Sequence, residues 1–226
     1  MPVSLTMQDN IAVITIDDGA KNVINHEVLD ELEAHWETVE ASAGAAVLAG
    51  RPGSFCAGYD IKVMTGDDPS ASAELGRRGG RFAYRLFGSP VPTVAVSTGH
   101  AFTIGAVWLA CCDLRIGEAG SFKYGMSEVA LGVPFSPWPL EPLKARLTPA
   151  SQTAALLHSQ IYSPEGAVDA GFIDQLLPAG EGLDAGLEAA TRLAGLPRDA
   201  YARSKKELRR DALAIMAADL GLADAS

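Results

Sequence analysis

The sequence predicts an α/β protein, because short β-rich segments alternate with stretches of helical periodicity. The clearest unit is residues 92–113, where a β-branched run is followed by glycines and then by an apolar stretch, residues 106–112, that predicts a helix. Residues 55–62 repeat the same order of strand, small residues and short helix. From residue 181 onward the pattern is helical to near the end of the chain.

The composition is that of a globular protein with a sizeable core. The chain has 226 residues, of which 48% are hydrophobic and 20% are charged, enough for one large domain or two small ones. Its net charge of −10 and isoelectric point of about 4.8 argue against nucleic acid and anionic membrane surfaces as partners, because both require a basic footprint.

The cysteines and the N-terminal residues indicate the cellular compartment of the protein. Cys56, Cys111 and Cys112 cannot all pair, and two of them lie in the predicted helix of residues 106–112. We therefore expect buried thiols of a reducing compartment, with no metal site. The N-terminal residues lack a signal peptide's basic and apolar regions, and the most apolar stretch is interrupted before it could span a membrane. These features predict a cytoplasmic protein.

The first elements are predicted to be a hairpin, a helix and a strand. Residues 3–7 alternate in polarity, and the β-rich residues 11–16 follow a turn. Asn25 is placed to cap a helix. The apolar face of that helix, at helical spacing, contains Val28, Leu29, Leu32, Trp36 and Val39. Residues 45–49 then predict a short buried strand.

A polar segment and a basic helix are predicted next. Residues 65–73 have no periodicity, which predicts a mobile loop. Residues 75–87 fit an amphipathic helix. Its basic side carries Arg77, Arg78, Arg81 and Arg85. We interpret this side as a solvated helix face, and phosphate contact is the alternative.

Residues 92–113 also predict an anion site. The first four N–H groups of a helix have no intrahelical acceptor, and the helix dipole adds partial positive charge there. A strand, a glycine-containing turn and a helix start would therefore direct free amides at an anion. A well-packed core unit with no ligand is the alternative interpretation.

Glu128 is an isolated acidic residue in the otherwise apolar residues 121–133. Charged side chains are rarely buried without a partner or a task, so Glu128 is a candidate functional carboxylate, and a surface glutamate is the alternative. Residues 134–142 contain too many prolines for an ordinary helix. Their aromatic residues, Phe135 and Trp138, could wall an apolar pocket.

The remaining chain predicts helices and one strand. Residues 149–158 predict a helix with Leu156 and Leu157 inside. A second helix begins after Ser163, with Pro164 at its first position, and Gly171 ends it. Residues 173–177 predict a strand. The helical end of the chain carries a basic cluster of Lys205, Lys206, Arg209 and Arg210.

Four ordered motifs resemble those of one family. Residues 54–62 resemble F-x-A-G-x-D-[IL]-K, residues 99–113 resemble G-x-A-x-G-G-G-x-x-L-A-x-x-C-D, residues 125–132 resemble G-x-P-E-V-x-L-G, and residues 163–173 resemble S-A-x-E-A-x-x-x-G-[LF]-[IV]. With these motifs the chain resembles the crotonase superfamily, the enoyl-CoA hydratases and isomerases, over residues 3–180.

The resemblance implies a crotonase-like spiral of ββα turns, over residues 1–190, with a C-terminal helical segment at 191–226. It also implies a homotrimer or a dimer of trimers. The implied substrates are acyl-CoA esters, with coenzyme A as part of the substrate and no separate cofactor.

The resemblance also assigns site residues. Backbone N–H groups of Tyr59 and Ile104 would form an oxyanion hole for the thioester oxygen, and Glu128 would act as the catalytic acid and base. The implied coenzyme A contacts are Lys62, Ala57 and Lys21. The implied acyl pocket contains Phe102, Val107, Phe135 and Trp138.

Three departures from the family pattern direct the functional prediction. Val107 stands where hydratases have their first glutamate, Ile104 replaces a glycine, and Tyr59 replaces an alanine. Valine cannot accept a proton or orient water, so we predict a Δ3-Δ2-enoyl-CoA isomerase that uses a single glutamate.

Other functions remain open at this point. One alternative is an enoyl-CoA hydratase or acyl-CoA thioester hydrolase that uses Asp60, Tyr59 or Ser136 as a second polar group. A non-catalytic acyl-CoA-binding protein is another. A serine hydrolase built on Ser97, His100 and Asp113 is not expected, because the chain lacks a Gly-x-Ser-x-Gly segment.

Overall fold

The computed structural model describes residues 1–222. The chain begins with the predicted hairpin, formed by β1 (Val3–Gln8) and β2 (Ile11–Ile16). The two strands are antiparallel, with Val3 opposite Ile16. Asp9 takes a left-handed conformation in the turn, with φ of 52°.

Strands and helices then alternate along the chain. The elements are β3 (Val23–Ile24), α1 (His26–Ser42), β4 (Ala45–Gly50), β5 (Gly53–Cys56), β6 (Gly58–Tyr59), α2 (Ile61–Met64), α3 (Pro69–Gly88), β7 (Thr93–Ser97), β8 (Gly99–Phe102), α4 (Ile104–Cys111), β9 (Leu114–Glu118), β10 (Tyr124–Gly125), α5 (Pro137–Arg146), α6 (Pro149–Gln152), α7 (Pro164–Ala170), β11 (Gln175–Leu177), α8 (Gly182–Ala194), α9 (Arg198–Leu208) and α10 (Arg210–Asp219).

Within residues 1–222 the main sheet has six strands in the order β1-β2-β4-β7-β9-β11. Adjacent strands in this sheet are parallel, except for the antiparallel pair of β1 and β2. Smaller sheets form from β10-β8-β5 and from β3-β6. Successive turns of the chain add one strand to the main sheet, then one to a smaller sheet, and continue into a helix. This is the predicted spiral of ββα turns.

The main sheet is covered on both faces, as a parallel sheet requires. One face packs into the larger core with α1, α3 and α4. The other face, including Val47, Val94 and Val96, packs against Ala189 and Ala190 of α8. Strand β4 is therefore buried along its whole length.

Local capping chemistry sets the ends of two predicted helices. The Asn25 side chain accepts a hydrogen bond from the N–H of Val28, and all five predicted apolar residues of α1 are buried. Ser163 accepts from the N–H of Gly166 at the start of α7. Gly171 ends α7 with φ of 97°, a conformation that favours glycine.

The prediction of a loop at residues 65–73 is wrong from residue 69 onward, because α3 begins there. The Asp68 side chain accepts hydrogen bonds from the N–H groups of Ser70 and Ala71, and Pro69 occupies the first helical position. This cap and the fixed φ of proline start the helix despite the lack of apolar periodicity.

The prediction that residues 134–142 do not form an ordinary helix is wrong from residue 137 onward. Helix α5 begins at Pro137. Pro137 and Pro139 lie in the first turn, where an N–H has no intrahelical acceptor, so their missing donors cost nothing there. Only Pro142 lies deeper in the helix.

The helix predicted at residues 149–158 becomes a π-helical turn at Thr153–Leu157. Leu156 is buried as predicted, but Leu157 is 60% exposed. The wider turn rotates Leu157 out of the apolar face that normal helical spacing assigns to it.

The basic side of α3 is held by ion pairs to neighbouring carboxylates. Arg78 binds Asp30 at 2.7 Å and Glu33 at 2.9 Å, and Arg85 binds Glu40 at 2.8 Å, all on α1. These contacts tie α3 to α1, so they support the interpretation as a solvated, ion-paired face and not phosphate contact.

The cysteines, all within the described residues, are buried and form no disulfide. Burial raises the pKa of Cys56 and of Cys112 to about 12. Among residues 1–222, no helix combines the length and apolar character needed to cross a bilayer. The predicted division into 1–190 and 191–226 stays a prediction, and residues 223–226 lie outside the described part of the chain.

Candidate active site

The two glycine turns of the sequence lie against each other in the fold. Gly58 has φ of 109°, and a methyl group there would come within 2.5 Å of Thr103 Oγ1. A methyl group at Gly105 would come within 2.6 Å of the Cys56 carbonyl oxygen. Only glycine fits at these two close approaches. The backbone of residues 56–59 therefore meets the backbone of residues 103–105.

The Tyr59 amide faces away from the strand that pairs with it. Asp60 donates its N–H to the carbonyl of Ile24 at 2.9 Å, and Ile24 lies opposite Tyr59 in the parallel pair of β3 and β6. Because successive amides of a strand point to opposite edges, the Tyr59 N–H is directed away from β3.

The Ile104 amide is at the start of α4. The first intrahelical bond runs from the N–H of Val107 to the carbonyl of Thr103, so the N–H groups of residues 104–106 have no intrahelical acceptor. Thr103, the residue before the helix, makes no side-chain cap. The helix begins two residues earlier than predicted, which places these amides next to the Gly58 turn.

Strand pairing positions Glu128 relative to this helix start. Gly125 lies opposite Phe102 in the pair of β10 and β8, and Thr103 donates its N–H to the carbonyl of Gly125 at 3.1 Å. Glu128 follows shortly after, and its carbonyl accepts the N–H groups of two later residues in a short 3-10 turn, Val129–Leu131. The backbone of Glu128 is therefore held in place.

The Glu128 carboxylate is in an unusual environment for an acidic group. Its Oε2 atom is buried and has no hydrogen-bond partner among the described residues. Burial raises the pKa of Glu128, and the N–H groups of Glu128 and Ser127 only partly oppose this shift. A surface glutamate would show neither feature, so that alternative does not fit.

The Tyr59 hydroxyl lies within reach of the charge of Glu128. Burial raises the pKa of the Tyr59 hydroxyl, and the side chains of Cys56 and Glu128 add to this shift. The fold therefore brings together the two turns that carry the Tyr59 and Ile104 amides and one carboxylate with a raised pKa.

The four predicted pocket residues have different surroundings. Val107 is fully buried in α4. Phe135 is half-buried and packs on the core. Phe102 stacks on His100, with ring centroids 6.1 Å apart. Trp138 lies on α5, against α3 and the C-terminal end of α10.

Two of the predicted coenzyme A contacts, Ala57 and Lys21, lie next to each other. Ala57 donates its N–H to the carbonyl of Lys21 at 3.1 Å. Lys21 and Lys62 are exposed. Sequence reasoning missed Asn22, which is fully buried and donates to the carbonyls of Ser54 and Phe55. Its amide attaches the Lys21 loop to β5.

The alternative polar groups are engaged elsewhere. Asp60 accepts the N–H of Lys62 at 2.9 Å and so caps α2. The Tyr59 hydroxyl donates to the carbonyl of Gly76 at 3.4 Å. Ser136 is exposed before α5. None of these three side chains is placed beside Glu128 by a hydrogen bond.

The sequence cluster of Ser97, His100 and Asp113 does not form a triad. Ser97 donates its hydroxyl to the carbonyl of Gly99, and His100 Nδ1 accepts the N–H of Lys123. Asp113 instead binds Lys205, which lies on α9. The three side chains are therefore engaged with other partners.

Comparisons with known proteins agree with the fold. Residues 6–221 match the model of a family described as enoyl-CoA hydratase/isomerase. An apo structure of a Mycobacterium tuberculosis enoyl-CoA isomerase superposes with a TM-score of 0.92 and 34% identity, covering 97% of this chain and 96% of that chain. An enoyl-CoA hydratase from Mycobacterium ulcerans superposes with a TM-score of 0.94 and 33% identity, covering 98% and 97%.

A human relative carries an isomerase name. The mitochondrial enoyl-CoA delta isomerase 1 of Homo sapiens is 25% identical over 204 residues, which are 88% of this chain and 68% of that protein. The names of similar proteins are thus divided between isomerase and hydratase. The family match extends over nearly the whole chain, and the ββα spiral and the paired glycine turns agree with it. The chain belongs to the enoyl-CoA hydratase/isomerase family of the crotonase superfamily.

Proposed function

We propose that this protein is a Δ3-Δ2-enoyl-CoA isomerase in which Glu128 is the catalytic acid and base. The observation that carries the proposal is the half-buried Glu128 carboxylate, with an unpartnered oxygen and a raised pKa, beside the turn that carries Tyr59. A carboxylate with a raised pKa is a stronger base than an ordinary one, and it can still be ionised near neutral pH.

The reaction moves one proton within the substrate. Glu128 takes a proton from C2 of a 3-enoyl-CoA, and the electron pair of that bond delocalises into a dienolate with negative charge on the thioester oxygen. Glu128 then returns the proton at C4, which leaves the double bond between C2 and C3. Glu128 ends in its starting state and no electrons are gained or lost, so the reaction calls for no redox cofactor.

The amides of Tyr59 and Ile104 would stabilise the dienolate. Removing one such donor costs about 2.7 to 4 kcal/mol of transition-state stabilisation in other enzymes. Both donors are backbone N–H groups, so they are retained although tyrosine and isoleucine replace the alanine and glycine of the family pattern. Lys21, Ala57 and Lys62 are our proposed contacts for the coenzyme A portion.

Val107 favours isomerisation over hydration. Hydration requires a group that positions and activates water in addition to Glu128, and the buried, apolar Val107 cannot do so. The Asp60 carboxylate, one possible substitute, is occupied as the cap of α2.

The decisive experiment is Glu128→Gln assayed on a 3-enoyl-CoA. We expect turnover to fall by about 10²- to 10⁴-fold, the usual contribution of a general base, with binding of the ester largely kept. Glu37→Gln, which removes an exposed charge on α1, is the matched control and should retain full activity. Unchanged turnover in Glu128→Gln would refute the proposal.

The identity of the product separates the alternatives. A 2-enoyl-CoA as the main product supports isomerisation, a 3-hydroxyacyl-CoA would indicate a hydratase, and free coenzyme A a thioester hydrolase. Tight binding of acyl-CoA without proton exchange at C2 in deuterated water would indicate a non-catalytic binding protein.

A further inference from the structure

The Tyr59 side chain is seated in a notch on α3 that exists because residue 79 is glycine. A methyl group at Gly79 would overlap the Tyr59 hydroxyl oxygen and lie 3.0 Å from ring atom Cζ. The hydroxyl also donates to the carbonyl of Gly76, one turn earlier on the helix, at 3.4 Å. The phenol ring therefore bridges from the Gly58 turn to α3.

Two further aromatic side chains meet the same turn of α3. Trp108 donates its Nε1–H to the carbonyl of Gly79 at 3.3 Å. A methyl group at Gly80 would lie 3.0 Å from the Trp138 ring and 2.6 Å from Leu220 Cδ2. Side chains from β6, α4, α5 and α10 thus fill the space along this stretch of α3.

This filled space adjoins the position where an acyl chain would begin. In the proposed reaction the thioester oxygen binds the N–H of Tyr59 and C2 lies at Glu128. The phenol ring leaves the backbone at that same residue, and its hydroxyl is close enough to feel the charge of Glu128. In this placement the first carbons of the acyl chain beyond C2 would lie next to residue 59, whose ring fills the neighbouring space against α3.

Three cavities of the described chain lie away from the candidate site. Cavities of about 730, 310 and 280 Å³ are each lined by other residues, and Tyr59, Ile104 and Glu128 line none of the three. None of these cavities offers a long acyl chain a path that starts at the site.

We propose that Tyr59, seated against Gly79, limits the length of the acyl group, so that the enzyme acts on short acyl-CoA esters. This proposal rests on the proposed function for the placement of the substrate. Tyr59 acts here as a specificity residue through its ring, separately from the role of its backbone N–H.

The first test compares binding of saturated esters to the wild-type protein, which requires no catalysis. Hexanoyl-CoA should bind at least as tightly as dodecanoyl-CoA in a calorimetric titration. Much tighter binding of dodecanoyl-CoA would overturn the proposal, whatever reaction the protein catalyses. Because Glu128→Gln tests the reaction and these esters test the length limit, the two proposals can fail independently.

The second test removes the ring. Tyr59→Ala should raise the ratio of affinities for dodecanoyl-CoA over hexanoyl-CoA by about tenfold or more, since each accommodated methylene is worth about 10-fold or more in a fitted pocket. Tyr59→Phe keeps the ring and should leave the ratio near that of the wild type. An unchanged ratio in a folded Tyr59→Ala protein would overturn the proposal.

A pair of glycine variants tests the notch itself. Gly79→Ala should push the Tyr59 ring towards the substrate and weaken binding of both esters. Gly76→Ala adds the same methyl group to the same helix, but into open space, and should leave binding unchanged. In the Tyr59→Ala background, Gly79→Ala should have no effect on binding. An equal loss in both backgrounds would show that Gly79 does not act through Tyr59.

Discussion

Thr103 packs directly on Gly58 at the point where the two turns of the candidate site meet. A methyl group at Gly58 would come within 2.5 Å of Thr103 Oγ1, and both residues have positive φ, 109° and 48°. For threonine this backbone conformation is strained. This contact between a glycine and a strained residue is therefore one of those that position the Tyr59 and Ile104 amides.

Gly58→Ala is expected to destabilise the protein by about 1 to 3 kcal/mol, through backbone strain and overlap with Thr103, and to lower turnover sharply. Urea unfolding and the isomerase assay measure the two effects. Gly53→Ala is the matched control, because Gly53 also has positive φ, 90°, but faces open space. Gly53→Ala should lower the free energy of unfolding by about 1 kcal/mol from strain alone and leave turnover intact. Equal effects of the two substitutions on turnover would contradict the role of the Thr103 contact.

Thr103→Gly is expected to raise the free energy of unfolding by about 1 kcal/mol, because glycine relieves the strain at φ of 48°. It also removes Oγ1, so in a double variant it should restore part of the stability that Gly58→Ala loses. Chemical denaturation of the four proteins of this cycle gives the coupling between the two positions. Strictly additive changes would argue against direct contact.

The parts of the site that depend on local pattern could be predicted from the sequence. The turn around Gly58, the helix start near Ile104 and the isolated Glu128 all follow from residue type and spacing. The seat of Tyr59 against Gly79 could not, because the two residues are far apart in sequence and only the packing of α3 brings them together.

The differences between the predicted and the observed fold have two kinds of cause, one local and one tertiary. The missed start of α5 follows from counting prolines without asking where in the helix they fall. The left-handed backbone of Thr103 is imposed by the contact with Gly58 and by strand pairing to Gly125, and threonine itself does not favour it.

The rate of isomerisation is expected to rise with pH through an apparent pKa above 4.5, the ordinary value for glutamate. The base must be ionised to accept a proton from C2, and burial raises the pKa of Glu128. A profile of kcat/KM against pH shows this limb, with circular dichroism as the control for folding at each pH. A limb centred at or below 4.5 would contradict the assignment of Glu128 to a buried base.

Glu128→Gln is expected to increase the free energy of unfolding at pH 7. Because the folded pKa of Glu128 is raised above its unfolded value, its stabilising contribution is present below the unfolded pKa and is lost as pH rises through the folded pKa. Glutamine carries no charge at any pH, so it avoids this loss. The advantage of the variant should therefore shrink as pH falls towards about 4.3. Urea unfolding at both pH values tests this, and a less stable variant at pH 7 would refute it.

Asp113 attaches the C-terminal helices to the core just after the C-terminal end of α4. Its carboxylate accepts hydrogen bonds from Lys205 at 2.7 Å, from Arg209 at 2.9 Å and from the N–H of Thr93 at 2.8 Å. Both cations are buried. The predicted basic cluster is therefore divided, since Lys206 and Arg210 are exposed.

The two cations control the charge state of Asp113. Burial alone would raise the pKa of Asp113, but the charges of Lys205 and Arg209 outweigh it and hold the pKa below its usual range. Burial lowers the pKa of Lys205, and the like charge of Arg209 adds to this shift, while the charge of Asp113 opposes it without cancelling it. Removing that carboxylate would leave both cations without a counter-charge.

Asp113→Asn is accordingly expected to destabilise the protein by about 3 to 5 kcal/mol at pH 7, the usual cost of breaking a buried ion pair from one side. Asp211→Asn removes one of the exposed partners of Arg210 and should change the stability by less than about 0.5 kcal/mol. The lowered pKa of Asp113 means that its contribution is present above the unfolded value of about 3.9 and is lost as pH falls through the folded pKa. The difference between wild type and Asp113→Asn, measured by urea unfolding, should therefore narrow in acid. Equal stabilities of the Asp113→Asn and Asp211→Asn proteins at pH 7 would show that the buried pair does not hold the C-terminal helices in place.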